Sequence, residues 1–454
     1  CCQWRQSVKI EVFGLRCCRT QNFGGSILML GSPETLLRAM FDSAVNLALP
    51  AHTLRQHLPP KPKGRTIIVG AGKAAAAMAR AVEAEWVDLG LAGELTGLVI
   101  TRYGHSLETR WIEVVEASHP IPDTAGVSAT ARIHELVSNL TEEDLVLCLL
   151  SGGGSALLTL PALGIELDEK KSITRDLLHC GATISEINCV RKHLSAVKGG
   201  RLAALASPAE VVTLAISDVP GDDPAVIASG PTIADPTTLA DADEVIGKYG
   251  IQLPRAVRTY LDRVDAETPK PGSSLLERAS VRLIVTPQDA LEAAAKVAQD
   301  AGVTPIILSD SMEGESRDVA YVHGAIARQI VQRGQPWPAP CVLLSGGETT
   351  VTIRGTGAGG PNSEFLLSLM LSLNGTPGIY ALACDTDGID GSEDNAGAII
   401  GPESLSRSLD EGLDPKKYLA NNDAFTFFAT IGSLVVTGPT DTNVNDFRAV
   451  LITK

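Results

Sequence analysis

Leu145-Val-Leu-Cys-Leu-Leu150, followed at once by Ser151-Gly-Gly-Gly-Ser155, is the stretch that decides the fold. Six apolar residues without a polar interruption fit a parallel strand covered on both faces, because a strand with one wet face would alternate. Ser151 to Ser155 then make a turn whose backbone N–H groups no side chain shields, which suits phosphate or carboxylate. The plainer reading is a tight βα turn that needs small residues for space alone. Cys341-Val-Leu-Leu344 running into Ser345-Gly346-Gly347-Glu348-Thr349 repeats the grammar. Two such cradles on one chain predict a cleft between two domains.

Working outward, Thr66-Ile-Ile-Val69 leads into Gly70-Ala-Gly72-Lys73 and an alanine-rich helix from Ala74 to about Trp86, a first βα unit that presents a lysine. Strands are expected at 95–101, 111–116 and 211–216. Helices are expected at 124–140 and 174–180, with one continuous helix over 184–206. After a polar stretch at 236–272, strands at 281–286, 304–308, 341–344, 379–383, 434–436 and 449–452 alternate with helices at 289–301, 316–333 and 365–373. Val351 to Ile353 is expected to pair with the strand at 341. Alternation of this kind indicates α/β architecture with functional loops at the carboxyl ends of the strands. The expected division is a non-native or disordered leader at 1–28, with Met29 as a natural start, a Rossmann-like α/β domain at 29–270 and a second α/β domain at 271–454.

With 454 residues, 44% of them hydrophobic, 43 glycines and 26 prolines, the chain has the make-up of a soluble α/β enzyme rich in glycine turns. A formal net charge of −15 argues against nonspecific nucleic-acid binding, though local lysines and a metal ion still permit an anionic substrate. Cys1, Cys2, Cys17 and Cys18 crowd the start; Cys148, Cys180, Cys189, Cys341 and Cys384 show no C-x-x-C pairing. Reduced thiols, a cytoplasmic location and no zinc site follow as expectations. No apolar run approaches the roughly eighteen residues of a membrane span.

Gly70-Ala-Gly72-Lys73-Ala-Ala75 is not a Walker loop, since one residue separates its glycines and Ala74 follows the lysine. It does match the dinucleotide pattern, which keeps a dehydrogenase open, although the next strand ends at Thr101-Arg102 without the acid a ribose needs. Lys73 at a helix N-terminus reads better as a point charge for phosphate. Asp218 with Asp222 and Asp223, Asp385 with Asp387 and Asp390, and Asp441 with Asn443 form three acidic loops after strands. Carboxylates beside anion cradles would repel the anion unless a divalent ion intervened, and Mg²⁺ takes one or two carboxylates plus phosphate oxygens. Most such aspartates merely cap helices or shape turns; Asp385, Asp387 and Asp218 are singled out as the exceptions. On the predicted helix at 184–206, Arg191 and Lys198 stand seven apart on one face, where they reach substrate or phosphate or else face solvent.

Gly70-Ala-Gly-Lys73, Leu150-Ser-Gly-Gly-Gly-Ser-Ala-Leu157, Glu186-Ile-Asn-Cys-Val-Arg191-Lys-His193 with Lys198-Gly-Gly-Arg201, Ser217-Asp-Val-Pro-Gly-Asp222 and Ala228-Ser-Gly-Pro-Thr232 together resemble the glycerate 2-kinase family. Ser345-Gly-Gly-Glu-Thr349, Gly359-Gly-Pro-Asn362, Asp385-Thr-Asp-Gly-Ile-Asp-Gly391 and Thr437-Gly-Pro-Thr-Asp-Thr-Asn443 resemble its C-terminal MOFRL domain. The resemblance runs from about Ser32 to the C-terminus. It implies ATP- and Mg²⁺-dependent phosphorylation of D-glycerate to 2-phosphoglycerate in a cleft between two non-similar α/β domains. Lys73 matches the family's active-site lysine.

The expected catalytic set is Lys73, Arg191, Asp218 and Asp385. Gly70, Gly72, Ser151, Gly152, Gly153, Gly154, Ser155, Lys198, Ser345, Gly346, Gly347, Glu348, Thr349 and Asn362 are expected to form the binding set for the cofactor ATP, with the ATP phosphates and the glycerate carboxylate divided between the two cradles in an order the residues leave open, and Asp385 and Asp387 are expected to hold the metal. Many members read Gly-Gly-Arg-Asn-Gln-Glu where this chain has Gly359 to Glu364 with Pro361 and Ser363, so Arg191 or Arg354 must supply the missing cation. The remaining alternatives are an NAD(P)H-dependent hydroxypyruvate reductase and a noncatalytic glycerate-binding protein. A small-molecule substrate is expected, with no nucleic-acid or membrane partner; a homo-oligomer is compatible with all readings.

Overall fold

The computed structural model describes residues 31–91 and 93–454. The leader expected at 1–28, Met29 and the four early cysteines lie outside the described residues. Two six-stranded sheets carry the fold. The first holds β1 (Thr66–Ala71), β2 (Leu95–Arg102), β3 (Ile112–Ala117), β4 (Leu145–Leu150), β5 (Glu210–Ile216) and β6 (Ala279–Val285) in the order β3-β2-β1-β4-β5-β6. All its neighbours are parallel. This is the doubly wound Rossmann order, and its switch point lies between β1 and β4.

The second sheet holds β7 (Thr304–Ser309), β9 (Cys341–Ser345), β11 (Ile379–Asp385), β12 (Gly397–Ile400), β13 (Leu434–Val435) and β14 (Asp446–Ile452) in the order β13-β12-β11-β14-β9-β7. Only β7 and β9 run parallel; the other pairs are antiparallel. A separate short pair joins β8 (Gly314–Glu315) to β10 (Thr349–Thr350). Thr349 and Thr350 therefore find Gly314 and Glu315, and the pairing expected between 351–353 and the strand at 341 does not form.

Helices α1 (Pro33–Ala48), α2 (Pro50–Thr53), α3 (Ala75–Asp88), α4 (Thr124–Leu136), α5 (Gly154–Leu157), α6 (Leu167–His179), α7 (Ile184–His193), α8 (Arg201–Ala206), α9 (Leu239–Lys248) and α10 (Arg255–Leu261) precede β6. After it come α11 (Pro287–Asp300), α12 (Ser316–Arg333), α13 (Pro361–Leu373), α14 (Ser404–Asp410), α15 (Pro415–Ala420) and α16 (Ala424–Thr430). Strand β4 shows why its sequence lacks polar breaks. Leu145, Leu147 and Leu149 enter one apolar core, shared with α1, α3 and α11, while Val146, Cys148 and Leu150 enter another beneath α4 and α8. Each fully buried leucine is worth about 1.5–3 kcal/mol. The first of these cores also takes Val342, Leu382, Phe447 and Leu451, so it runs unbroken from one sheet to the other.

Three expectations shift. The border expected at 270/271 falls ahead of β6, which pairs with β5 and so extends the first sheet to Val285. Helix α1, expected with the first domain, packs on α11 and on β14 of the second sheet: the Phe41 and Phe447 rings lie tilted with centroids 5.8 Å apart, and Ser43 Oγ donates to Ala293 O at 3.4 Å. The continuous helix at 184–206 is two helices. Gly199 and Gly200 adopt φ of 58° and 82°, and their N–H groups donate to Ser229 O and Gly230 O at 3.1 and 2.8 Å. Helix α7 has already ended at His193, and the left-handed Gly200, its N–H bonded to another loop, is the cap from which α8 starts.

Candidate active site

Loops at the carboxyl ends of the first sheet converge at its switch point. Lys73 follows β1, the Ser151–Ser155 turn follows β4, Asp218 follows β5, and His105 and His119 follow β2 and β3. Against them the second sheet brings Asp385 and Asp387, at the end of β11, and Asn443 and Asn445, just before β14. Lys73 Nζ donates to Asp387 Oδ2 at 2.6 Å, with the side chains 15% and 1% exposed. Asn445 Nδ2 donates to the backbone carbonyl of Asp218, and Asn443 Nδ2 lies 3.5 Å from Asp218 Oδ2. The expected cleft between two cradled bodies is thus tied shut at its base by polar side chains.

The glycines are there for space. A Cβ on Gly152 would stand 2.0 Å from Asn443 Nδ2 and 2.2 Å from Asp218 Oδ2, and one on Gly72 would stand 2.1 Å from Ser151 Oγ. A Cβ on Gly70 would meet Leu149 O at 2.0 Å. The N–H of Lys73 donates to Gly152 O at 2.8 Å and that of Ala74 to Ser151 Oγ at 3.0 Å. Two glycine turns therefore hold one another, and the N-terminus of α3 is served by Ser151 and Gly152. The dinucleotide pattern at Gly70 to Ala75 arises from this packing, with the amides that would cradle a pyrophosphate already engaged. Ser151, expected on a ligand, is wholly buried as a scaffold; Gly153 and Ser155 remain half-buried on the open side.

One ammonium serves three carboxylates. Burial alone would lower the pKa of Lys73, but Asp385, Asp387 and Asp218 outweigh it and hold the lysine above its ordinary range. Burial would likewise raise Asp387, yet Lys73 keeps it below the usual carboxylate value. Asp385 is pushed well up by burial and then by Asp387. Asp218 is pushed up to about 6 by burial, with Lys73 pulling against it. His119 is held neutral, down to about 4, by burial and then by Lys73 and Arg102. Among the described residues no group of three or more His, Cys, Asp or Glu is arranged to hold a metal ion. The surplus of hard oxygen over ammonium fits a divalent cation that draws its remaining ligands from phosphate and water.

The second cradle is filled by the chain itself. Ser345 is buried with its Oγ 3.0 Å from His323 Nε2, Gly346 N–H donates to Ser309 O at 2.8 Å, and a Cβ on Gly347 would meet Met312 N at 2.2 Å. Thr349 N–H donates to Asp446 Oδ2 at 3.3 Å, and Arg448 Nη2 donates to Thr349 Oγ1 at 2.8 Å. Asn362 Nδ2 donates to Asp446 Oδ1 at 2.6 Å. The anion in this turn is Asp446, so of the set expected at 345–349 and 362 only Glu348 is exposed. Asp390 caps α13 through the N–H groups of Asn362 and Ser363, and Asp223 accepts from Ala225 N–H in a turn, which are the structural roles aspartate usually has.

Arg191 is on α7 and Lys198 in the connection that follows it rather than on one helical face, yet both line a single cavity of about 370 Å³ with Lys170, Arg175 and Ser155. Lys198 is buried and its Nζ donates to Ala228 O at 3.1 Å. Arg354 stands exposed on a loop whose N–H groups are held by Asn422, so of the two cations expected to replace the family's arginine only Arg191 reaches a cavity. Sequence reasoning missed His119, Asn445 and Lys170. For the first two a signal existed, since both flank strand ends that face the cleft.

Two family models match the chain: a domain of unknown function, DUF4147, over residues 36–262 and the MOFRL family over residues 341–446. A D-glycerate 2-kinase of Thermotoga maritima is 39% identical over 92% of this chain and 99% of its own length. A crystal structure of the glycerate kinase of that organism superimposes with a TM-score of 0.84 at 39% identity, covering 93% of this chain and 100% of the other. An Agrobacterium vitis protein provisionally named as a hydroxypyruvate reductase is 53% identical over 93% of this chain and 95% of its own.

Proposed function

This chain belongs to the glycerate kinase family, and on that premise we propose that it transfers the γ-phosphoryl group of ATP to the 2-hydroxyl of D-glycerate, giving 2-phosphoglycerate and ADP. The observation that carries this reading is the Lys73–Asp387 pair at 2.6 Å, set among Asp385 and Asp218 where loops of both sheets meet. Phosphoryl transfer asks a protein mainly for positioning and charge neutralisation. Lys73 supplies the positive charge for the transferred group. Asp218, with a pKa near 6, is ionised at neutral pH and accepts the proton of the C2 hydroxyl. The hydroxyl oxygen bonds to the γ-phosphorus as the bond to the bridging β–γ oxygen breaks, and ADP leaves with that electron pair. Asp385 and Asp387 are the carboxylates that would hold Mg²⁺, whose charge would offset that of the phosphates.

The two-domain division is part of the same proposal, with the border drawn ahead of α11 rather than at 270/271. A reducing, cytoplasmic setting is supported by the buried, unpaired thiols of Cys148, Cys189, Cys341 and Cys384. Among the described residues no helix is long and apolar enough to cross a membrane. The test is incubation with ATP, Mg²⁺ and D-glycerate, followed by phosphorus NMR of the product; absence of a C2 phosphate ester overturns the proposal. The reductase reading draws on the name of the 53% identical relative and is tested alongside, with NADH or NADPH and hydroxypyruvate. Saturable glycerate binding without turnover in either assay would identify a binding protein.

A further inference from the structure

Between β5 and α9, Ala228-Ser229-Gly230 run as three consecutive left-handed residues, with φ of 52°, 60° and 56°. Glycine takes that region freely; alanine and serine do not. Such conformations persist only where the surroundings over-determine them, and they gather at functional sites. Here the surroundings are four donors from one segment. Lys198 Nζ donates to Ala228 O at 3.1 Å, Gly199 N–H to Ser229 O at 3.1 Å, Gly200 N–H to Gly230 O at 2.8 Å and Leu202 N–H to Pro231 O at 3.0 Å. The left-handed turn aims all four carbonyls at that segment. Its other side packs on the turn after β4. A Cβ on Gly154 would stand 2.8 Å from that of Ala228, and Ser229 Oγ lies 2.8 Å from Ser155 Oγ.

The direction of that hydroxyl pair follows from burial. Ser229 is 0% exposed, and among the described residues Ser155 is the sole hydrogen-bond partner of its side chain. A hydroxyl carries one hydrogen and two lone pairs. Were Ser229 the acceptor, its own hydrogen would be left buried without a partner, which costs more than a hydrogen bond contributes. Ser229 therefore donates and Ser155 accepts. Ser155 is half-buried on the open side of the turn, where its own hydrogen is left free. A hydroxyl that accepts one hydrogen bond is a stronger donor of the next. Ser155 also stands two residues beyond Gly153, where a Cβ would lie 3.5 Å from Lys73 Cγ, so its free O–H belongs to the same wall of the cleft as the lysine. We propose that Ser229 is a positioning residue: the left-handed turn holds its hydroxyl against Ser155 and so fixes Ser155 as a donor to an oxygen of the phosphoryl group in transfer. The inference rests on the kinase reading and adds to it a residue that touches no substrate. It also gives the strain at Ala228 and Ser229 a use.

The test is a double-mutant cycle in the full chain, read by steady-state kinetics of glycerate phosphorylation and by thermal unfolding. Ser229→Ala keeps a Cβ in the left-handed region and removes only the hydroxyl. It should lower kcat tenfold or more and leave KM for glycerate within twofold. Its Tm should stay within about 2 °C of wild type, because Ser155 can turn to water. Ser155→Ala should lower kcat to a similar degree, and the double variant should be no slower than Ser155→Ala alone. Ser229→Gly relieves the backbone without restoring the hydroxyl, so its Tm should exceed that of Ser229→Ala while its kcat stays low. Additive losses of kcat in the double variant overturn the inference, as does wild-type turnover in Ser229→Gly or a loss confined to KM for glycerate. A wild-type chain that phosphorylates no glycerate overturns the proposed function and this inference together, whereas an active wild type with an undiminished Ser229→Ala overturns the inference alone.

Discussion

Lys73 and Asp387, separated by 314 residues of chain, meet at 2.6 Å and close the cleft with a buried ion pair. The pair joins the turn after the first strand of one sheet to the turn after the central strand of the other. Each residue follows a strand of a different sheet, so the pair forms only where the two sheets meet.

Lys73→Ala should lower kcat by about 10²–10³, the usual cost of removing one preorganised charge from a reacting centre. It should also destabilise the protein at neutral pH by about 3–5 kcal/mol, because Asp387 is left buried and unpaired. Asp387 is held below its ordinary pKa, so its stabilising contribution is present above pH 3.8 and fades as pH falls through the folded value. Denaturant titrations at pH 7 and pH 3 should therefore show the gap between wild type and variant narrowing in acid.

The pH profile should carry the signature of Asp218. With a folded pKa of about 6, its ionised form grows as pH rises, so kcat/KM should climb with unit slope below pH 6 and level off above it. Asp218→Asn should abolish that limb along with most turnover. A carboxyl raised from 3.8 to about 6 disfavours folding at pH 7, so the same variant should gain up to about 2–3 kcal/mol in stability. Rate profiles and unfolding curves of the two proteins check both signs.

Gly152→Ala should impair turnover a hundredfold or more. Nothing in the backbone of Gly152 forbids alanine, since it is absent from the positive-φ glycines. The added methyl would instead collide with Asn443 and Asp218 at 2.0 and 2.2 Å, prising apart the loops of the two sheets at the cleft base. Kinetics at saturating substrate, with Asn443→Ala/Gly152→Ala as the relieving double variant, distinguish this wedge from a local fault in the turn.

Ser345→Ala should lose about 1 kcal/mol of stability, the worth of its hydrogen bond to His323, with kcat and both KM values within twofold of wild type. A large loss of nucleotide affinity would instead restore the second turn as a ligand cradle.

Legibility in the sequence followed range. The β4 run and its turn, or β1 with Lys73, could be read because the strand signal and the glycines that follow lie within a dozen residues. The site's base could be listed but not assembled, since Lys73, Asp218, Asp385 and Asp387 announce themselves singly. The filling of the second cradle is illegible for the same cause: its sequence matches the first, but Asp446 and Arg448, which bond Thr349 there, lie about a hundred residues downstream. Lys170 gave no signal at all. On a helix with Asp168 and Glu169 beside it, it looks like one half of a solvated charge pattern, and only the position of α7 shows that its ammonium is buried. The split of 184–206 was within reach in part, because Gly199-Gly200 breaks a helix and opens the next one at Arg201, whereas nothing local marks the end of α7 at His193.

Helix α1 has an implication for how the chain comes into being. Made before every other described element, it must wait for its neighbours: Ser43 bonds Ala293, Ala48 accepts from Thr442 at 2.6 Å, and Phe41 lies against Phe447. During vectorial synthesis its apolar stripe of Leu36, Leu37, Met40 and Phe41 therefore stays uncovered until the last strand has left the ribosome. The amino-terminal helix works as a clasp fastened last, and a fragment cut at the border between the sheets would leave its second half without that clasp.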